Sequence, residues 1–229
     1  MRAARALPGS RLQPSAGQKQ LRVARSSAPY IYVLAGPNGS GKSTLAAQLR
    51  VEIPGAPKIW INADEIAARL RDETPGNINI ALAAAIEADR LRHAALDAAR
   101  DLITETVMSD GLRWVPFFQK AVARGYRIVL YFVTTRDAAI NVARVRARVK
   151  RGGHDVPEAR IRSRYKKVME EVLPKILPLT YEAYIFDNSE SERSDSSPCL
   201  IAVYRDGGLK LRAEARNSAI LGWLNGLKR

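Results

Sequence analysis

The chain has 229 residues, of which 46% are hydrophobic, and this supports a substantial core in one domain. Its formal net charge of +14 favours anionic partners such as nucleotide phosphates, nucleic acid or anionic membrane surfaces. No apolar run approaches the ~20 residues that span a bilayer, so we expect no membrane-spanning segment. The single cysteine excludes an internal disulfide and fits a cytoplasmic protein. Together with only two histidines, it provides too few ligands for a structural zinc site.

Residues 1–29 differ in composition from the rest of the chain. They contain six basic residues and no acidic one, and they lack the apolar stretch of a secretory signal. We expect a basic, disordered leader, with an organellar transit peptide as the alternative. Subtracting these six charges from +14 leaves about +8 for the domain that we expect over residues 30–229.

Short apolar runs alternate with helical stretches along this domain. Alternation of this kind indicates an α/β fold, with a parallel sheet of about five strands and helices on both of its faces. We also expect an Arg-rich helical lid over about 140–172 and a C-terminal β-hairpin over 200–211, centred on an Asp-Gly-Gly turn. The predicted strands are 30–35, 58–61, 101–105, 127–133 and 183–186, and the predicted helices before the lid are 43–50, 78–100 and 113–124.

A Gly-rich stretch, residues 36–44, follows the first predicted strand and opens the first predicted helix. It matches the phosphate-loop pattern G-x-x-x-x-G-K-[ST] in the strand–loop–helix context that the pattern requires. Glycines let successive backbone N–H groups turn towards phosphate oxygens. We expect Lys42 to reach the β- and γ-phosphates of ATP or GTP and Ser43 to offer its hydroxyl to Mg²⁺. The predicted nucleotide-binding residues are Gly36, Pro37, Asn38, Gly39, Ser40, Gly41, Lys42, Ser43 and Thr44.

The residue types after the strongest predicted strand bear on the fate of the terminal phosphate. Motor and transporter ATPases usually end such a strand in Asp-Glu, which holds magnesium and activates water, whereas this strand runs into Val133, Thr134 and Thr135. An LSGGQ-like signature is also missing from the sequence. Because no residue is evident for activating water, the sequence favours transfer of the phosphate to a bound acceptor.

Asp64 follows the second predicted strand. In an open parallel sheet, ligands bind outside the carboxyl ends of the strands, so Asp64 is expected at the ligand-binding edge. A carboxylate there can take the proton from an acceptor hydroxyl. The alternative is a helix N-cap, a role that either Asn62 or Asp64 could fill. The residues alone leave both roles open.

Glu105 and Thr106 follow the third predicted strand and belong on the same edge. They could form hydrogen bonds with a polar acceptor, or they could be a capping pair before the next helix.

Basic residues are concentrated over 144–167, where ten of them face only two acidic residues. Their helical spacing predicts two arginine stripes, joined by a Gly-Gly hinge at residues 152–153. A lid over transferring phosphates, a solvated surface and a nucleic-acid groove are the three interpretations, and we favour the lid because the cluster follows the fourth strand. The two stripes are Arg144, Arg148 and Arg151, then Arg160, Arg164 and Lys167.

Together these segments resemble the zeta-toxin-like P-loop kinases over roughly residues 30–205. The segments that carry the resemblance are GPNGSGKST, INADEIA, TETVMSD, ARGYRIVLYFV, RVRARVKRGGHDVPEARIRSRY and FDNS. The phosphate loop contains PNGS, whereas the corresponding loop of the plasmid toxins resembles QPGS. The predicted lid contains GGH, which looks like the chromosomal branch of the family, described as predicted ATPases.

The resemblance implies a kinase that phosphorylates the sugar 3′-hydroxyl of UDP-N-acetylglucosamine. It implies that Lys42 binds phosphate, that Asp64 is the catalytic base, and that Glu105-Thr106 contacts the sugar nucleotide. It also implies that arginines of the lid contact the γ-phosphate. The nearest candidates for these arginines in this sequence are Arg148, Arg151 and Arg164. An antitoxin would be a separate protein.

Two other functions are alternatives to the kinase. A nucleotide-dependent nucleic-acid-binding ATPase or regulator would use the high positive charge, but an aromatic-studded basic groove is missing from the sequence. A phosphate-loop scaffold whose catalysis has decayed is disfavoured because Lys42, Ser43 and Asp64 are all present.

Overall fold

The computed structural model describes residues 28–52, 57, 59–73, 79–190, 198–212 and 218–227. The predicted leader therefore lies almost entirely outside the described residues. Lys58 and Ile78, the first residues of two predicted elements, also lie outside them.

Strands and helices alternate along the described chain, as expected from the sequence. Strands β1 to β5 are Tyr30–Ala35, Trp60–Asn62, Leu102–Thr106, Arg127–Thr134 and Glu182–Asp187, followed by β6 at Cys199–Arg205 and β7 at Gly208–Leu211. Helices α1 to α4 are Lys42–Glu52, Ala63–Glu73, Ile80–Asp97 and Gly111–Ala123. Helices α5 to α8 are Ala138–Lys150, Glu158–Lys166, Leu173–Ile176 and Ser218–Gly226. A π-helical segment, Lys167–Val172, joins α6 to α7, and a 3₁₀ turn, Leu177–Leu179, follows α7.

The strands form one mixed sheet in the order β2-β3-β1-β4-β5-β6-β7. Strands β1 to β5 pair in parallel, which confirms the predicted α/β class and the five-stranded parallel part. The predicted hairpin also forms, but β6 pairs antiparallel with β5, so the sheet is seven-stranded. Asp206 and Gly207 turn the hairpin with φ values of +53° and +74°, a conformation that favours an Asp-Gly pair.

Helices pack on both faces of the sheet because the side chains of the buried strands alternate between two apolar layers. On one face, Ile31 and Val33 belong to a core that also contains residues of α3, α4, the π-helical segment and α8. On the other face, Tyr32 and Leu34 pack with Leu45 of α1. The parallel strands thus end together on one edge, where their following loops meet.

Most element boundaries differ from the sequence prediction by one to three residues, including those of the second strand and of α4. The second strand runs to Asn62, one residue beyond the predicted end, because Asn62 still pairs with Glu105 of β3. Helix α4 begins at Gly111, two residues before the predicted start. Within the described ranges, none of the helices combines the length and apolarity that crossing a membrane would require.

Candidate active site

The Gly-rich loop lies between β1 and α1, at the carboxyl edge of the sheet. The strand–loop–helix context predicted for residues 36–44 is therefore confirmed. Gly39 and Gly41 have φ values of +77° and +101°, which residues with a side chain rarely adopt. Helix α1 starts at Lys42, so its N-terminal N–H groups lie next to the loop, as an anion site requires.

The Lys42 side chain contacts the backbone of its own loop. Its Nζ donates hydrogen bonds to the backbone oxygens of Gly36 at 2.9 Å and Pro37 at 3.1 Å. Burial lowers the pKa of Lys42 from 10.5 to about 8, against the opposing effect of the Glu105 and Asp64 carboxylates. The lysine therefore lies within electrostatic reach of both acids that the sequence placed on this edge.

Asp64 and its neighbour Asn62 have different roles at the start of α2. Asn62 Oδ1 accepts a hydrogen bond from the backbone N–H of Asp64 at 2.8 Å, so Asn62 provides the side-chain cap. Its Nδ2 donates to Glu105 Oε2 at 3.0 Å and so joins β2 to the acid after β3. The Asp64 side chain is exposed and lies in the first turn of α2. Of the two roles considered for Asp64, the cap thus belongs to Asn62.

Thr106 supports the loop after β3. Its Oγ1 accepts a hydrogen bond from the backbone N–H of Met108 at 2.9 Å. Met108 is buried with a φ of +59°, a left-handed conformation that is uncommon for such a residue. The N-cap residue of α4 is Asp110, so Glu105 and Thr106 are not its capping pair. The Thr106 hydroxyl keeps its proton available for a ligand while it accepts from Met108.

Arg144 and Arg148 lie on α5, and Arg160 and Arg164 lie on α6, as the helical spacing of the two stripes predicted. Arg164 Nη1 donates to Asn38 Oδ1 in the phosphate loop at 3.3 Å. Arg148 Nη2 donates to the backbone oxygen of His154 at 2.7 Å in the turn between the two helices. Both arginines lower the pKa of Lys42, so their charges reach the loop.

Arg151 lies apart from this group. It is the C-cap residue of α5 and its side chain is exposed. Among the described residues, no hydrogen bond or ion pair joins Arg151 to the loop. The structure therefore gathers Arg148 and Arg164, but not Arg151, around Lys42.

The sequence analysis did not single out Asn141 and Asn188, whose side chains form hydrogen bonds with the backbone of the loop. Asn141 of α5 and Asn188 after β5 are both buried, and each donates a side-chain hydrogen bond to a loop backbone oxygen. Arg144 Nη2 donates to the backbone oxygen of Asn188 at 2.7 Å. Asn188 could have been found from its position after a parallel strand, on the ligand-binding edge, and from its place in the FDNS segment that carries the family resemblance.

A cleft of about 830 Å³ opens beside Arg164, between the start of α4 and the α6–π-helical segment. Four basic residues, Arg160, Arg164, Lys167 and Lys175, and two acidic residues, Asp110 and Glu171, line it. Leu112, of which 92% is exposed, and Val115 give it an apolar side. A cleft of this size and mixed lining can hold a small organic anion.

Comparison with known proteins indicates the family of this chain. The zeta toxin family model matches residues 14–176. An uncharacterized protein of Haemophilus influenzae (strain ATCC 51907 / DSM 11121 / KW20 / Rd) is 32% identical over 130 residues, which are 57% of this chain and 88% of that protein.

Solved structures share the fold at low sequence identity. A chain of the AvrRxo1-ORF1:-ORF2 complex with ATP has a TM-score of 0.63 at 16% identity, covering 88% of this chain. This chain spans 65% of that protein's length. A putative kinase from Chloroflexus aurantiacus has a TM-score of 0.53 at 17% identity, with 74% of this chain and 93% of that chain covered.

The PezAT chromosomal toxin–antitoxin system of Streptococcus pneumoniae provides a further match. Its TM-score is 0.52 at 16% identity, with 76% of this chain and 71% of that chain covered. The solved structures support the α/β P-loop kinase fold, and the family model covers most of the chain. The resemblance seen in the sequence is thus confirmed: the chain belongs to the zeta toxin family.

Proposed function

We propose that this protein is a kinase that transfers the γ-phosphate of ATP, or of GTP, to a hydroxyl group of a small-molecule acceptor. The observation that carries the proposal is the convergence of Lys42, Asp64 and two lid arginines at the phosphate loop. These groups supply a phosphate ligand, a base and positive charge for the transferring phosphoryl group. Membership of the zeta toxin family supports the same reaction. So does the similar fold of a protein whose structure was solved with ATP.

The reaction follows from the roles of these side chains. Lys42 exchanges its bonds to the Gly36 and Pro37 carbonyls for bonds to the β- and γ-phosphate oxygens. Asp64 accepts the proton of the acceptor hydroxyl while the hydroxyl oxygen bonds to the γ-phosphorus. The bond from the γ-phosphorus to the β–γ bridging oxygen breaks, and ADP leaves with that electron pair. Arg148 and Arg164 stabilise the negative charge on the transferring oxygens.

Ser43 is the residue that would hold Mg²⁺. Its side chain is exposed in the first turn of α1, next to Lys42, so its hydroxyl can face a bound triphosphate. Mg²⁺ in nucleotide sites is usually bound by one or two protein oxygens together with phosphate oxygens and water. When bound, Mg²⁺ neutralises the charge that develops on the phosphates.

The acceptor is proposed to place its hydroxyl at Asp64 and the rest of its structure in the cleft beside Arg164. Arg164 lines this cleft and interacts electrostatically with Asp64, which supports this placement. A UDP-sugar such as UDP-N-acetylglucosamine is the acceptor that family membership suggests, and its diphosphate would complement the basic lining. Glu105 and Thr106 would contact its polar groups.

A nucleotide-dependent nucleic-acid-binding ATPase or regulator is the second candidate. The net charge of +14 and the exposed arginines of the lid favour it. Two of these, Arg146 and Arg162, however, both donate to the carboxylate of Glu158, at 2.6 and 2.8 Å. This pairing reduces the charge that they can offer to a phosphate backbone.

A separate antitoxin protein and a cytoplasmic location complete the proposal. The PezAT structure belongs to a toxin–antitoxin system, which supports a protein inhibitor for this chain too. ATP, which the reaction consumes, is a cytoplasmic metabolite.

Incubation with Mg·ATP and UDP-N-acetylglucosamine, followed by mass spectrometry, tests the function and its acceptor. We expect a monophosphorylated sugar nucleotide and an equal amount of ADP from the wild-type chain, and neither from a Lys42→Ala variant. A parallel reaction with RNA or DNA in place of the sugar nucleotide tests the second candidate. Stimulation of ATP turnover by nucleic acid, with steep salt dependence and no phosphorylated sugar, would favour that candidate instead.

A further inference from the structure

Two buried asparagines contact the phosphate loop on the side of α5 and β5. We propose that Asn141 and Asn188 are positioning residues, which hold the loop in its phosphate-binding shape. This inference rests on the proposed function, because it concerns the nucleotide site of that reaction. Neither residue needs to touch the nucleotide to act in this way.

Asn141 holds the first half of the loop. It is fully buried in α5, and its Nδ2 donates a hydrogen bond to the backbone oxygen of Asn38 at 2.7 Å. Its side-chain oxygen accepts a hydrogen bond from Thr135 Oγ1, so both ends of the amide are bonded. The backbone oxygen of Asn141 would lie 2.6 Å from a Cβ atom on Gly39, so α5 packs directly against the loop.

Asn188 holds the second half of the loop in the same manner. It is buried after β5, and its Nδ2 donates to the backbone oxygen of Ser40 at 2.8 Å. A Cβ atom on Gly41 would lie 2.1 Å from this Nδ2, so the residue at position 41 must be glycine for the contact to form. Asn188 is held in turn by its backbone N–H, which donates to Thr134 O, and by Arg144, which donates to its backbone oxygen.

These two contacts have a direct consequence for anion binding. A loop binds phosphate when its N–H groups face the anion, and this requires its carbonyl groups to turn away and find other donors. Asn141 provides such a donor for the carbonyl of Asn38, and Asn188 provides one for the carbonyl of Ser40, two residues further along the loop. A carbonyl released from its donor could turn towards the phosphates and repel them.

The two residues also receive their positions from different elements. Asn141 comes from the first helix of the lid, whereas Asn188 comes from the end of the last parallel strand. Tyr165 of α6 donates to the backbone oxygen of Thr135 at 2.6 Å, and Thr135 is the residue whose hydroxyl bonds Asn141. The lid and the loop are therefore connected by hydrogen bonds through Asn141.

A second role for Asn188 has to be separated from positioning. Its Oδ1 is buried and has no hydrogen-bond partner among the described residues. That oxygen could accept a hydrogen bond from the nucleoside part of a nucleotide. Inorganic tripolyphosphate, which has phosphates but neither base nor sugar, distinguishes the two roles.

The test measures binding of ATP and of tripolyphosphate by calorimetry, without an acceptor. The variants are Asn188→Asp, which replaces the Nδ2 donor by an oxygen that repels Ser40 O, Asn188→Ala and Asn141→Asp. Asn225→Asp, an exposed asparagine of α8, is the matched control. Thermal unfolding without ligand identifies the temperature below which each variant is folded, and Asn188→Ala serves if the charged variant does not fold.

We expect each Asn188 and Asn141 variant to lose at least about tenfold in affinity for both ligands, with the control unchanged. Wild-type affinity for tripolyphosphate in the folded Asn188 variants would overturn the inference, whether ATP affinity is kept or lost. A loss of ATP affinity alone would assign Asn188 to nucleoside recognition. Because no phosphoryl transfer is measured, the inference stands or falls separately from the kinase reaction, which fails if wild-type protein binds ATP but phosphorylates no acceptor.

Discussion

Asn62 Oδ1 accepts a hydrogen bond from the backbone N–H of Asp64 at 2.8 Å, so the cap of α2 and the proposed base are adjacent but distinct residues. Asp64 therefore has a carboxylate that the helix cap does not use. We predict that Asp64→Asn lowers kcat by about 10²–10⁴-fold, because the amide cannot take the proton of the acceptor hydroxyl. ATP affinity should change little, since the substitution is outside the phosphate loop.

Initial rates and ATP binding of the purified variant check this prediction. Asp72→Asn, an exposed acid in the last turn of the same helix, is the control and should keep the wild-type rate. Full activity in Asp64→Asn would show that another group accepts the proton.

The sequence predicted where Asp64 lies but could not decide its role. The order of strand, acid and helix placed it on the ligand-binding edge, because parallel strands share that edge. Asn62 and Asp64 are both good N-cap residues, so local preference did not distinguish them. The choice depended on the pairing of β2 with β3, which brings Glu105 to the Nδ2 of Asn62.

Lys42 leads to a pH-dependent prediction. Burial lowers its pKa to about 8, and a bound triphosphate adds negative charge that raises the pKa again. Below about 8 the lysine is charged in the free and in the bound protein. Between about 8 and its raised value in the complex, the free protein must gain a proton when it binds ATP. ATP affinity should therefore fall as the pH rises above about 8.

Calorimetry at pH ~9 in buffers of different ionisation enthalpy measures the proton uptake that this linkage requires. The wild-type chain should take up a proton on binding ATP, whereas Lys42→Arg, which stays charged, should not. Equal uptake by the two proteins would assign the proton to another group.

The lid arginines can be separated by substitution. Arg164 donates to Asn38 in the loop and its charge reaches Lys42, whereas Arg151 is exposed and lies apart from them. We predict that Arg164→Ala lowers kcat by about 10²–10³-fold, the loss typical of one transition-state donor. Arg151→Ala should stay within about threefold of the wild-type rate, because an exposed charge at a distance is screened. Equal losses in the two variants would mean that the lid rearranges to bring Arg151 to the phosphates.

The cleft beside Arg164 should bind the acceptor rather than ATP. Lys175 lines the cleft and is exposed, so its removal should weaken attraction to an anionic acceptor without disturbing the core. We predict a severalfold higher KM for the acceptor in Lys175→Ala, with the KM for ATP unchanged. Lys210→Ala, in the exposed part of β7, is the control. A rise in the KM for ATP alone would contradict the assignment of the cleft.

Helix α8 contacts the π-helical segment at the end of the predicted lid. Trp223 Nε1 of α8 donates to the backbone oxygen of Met169 at 3.1 Å, within the π-helical segment. We predict that Trp223→Phe lowers the free energy of unfolding by about 1 kcal/mol through the loss of this hydrogen bond. Denaturant titration measures the change, and Val122→Ala, at an exposed site of α4, should remain within about 0.5 kcal/mol of wild type. An unchanged midpoint for Trp223→Phe would show that α8 does not stabilise this segment.

The fold was largely predictable because its strands are short apolar runs and its turns carry glycines at the required positions. The five parallel strands and the Asp206-Gly207 turn of the hairpin follow from such local signals. The pairing of β6 with β5 was not predictable, because the register of a long-range strand pair depends on packing across the sheet. The hydrogen bonds of Asn141 and Asn188 with the loop were not predictable either, because asparagine is common in turns and caps. Both residues acquire their role only when α5 and β5 reach residues 36–44.

The fate of the γ-phosphate tests the kinase assignment most directly. The wild-type chain would be incubated with γ-labelled ATP, Mg²⁺ and a metabolite extract, and the label would be separated into free phosphate and phosphorylated metabolites by mass spectrometry. We predict that most of the label enters one class of hydroxyl-bearing metabolite, and that Asp64→Asn abolishes this transfer while Asp72→Asn preserves it. Label found only as free phosphate, with or without Asp64, would contradict the assignment of this protein as a kinase.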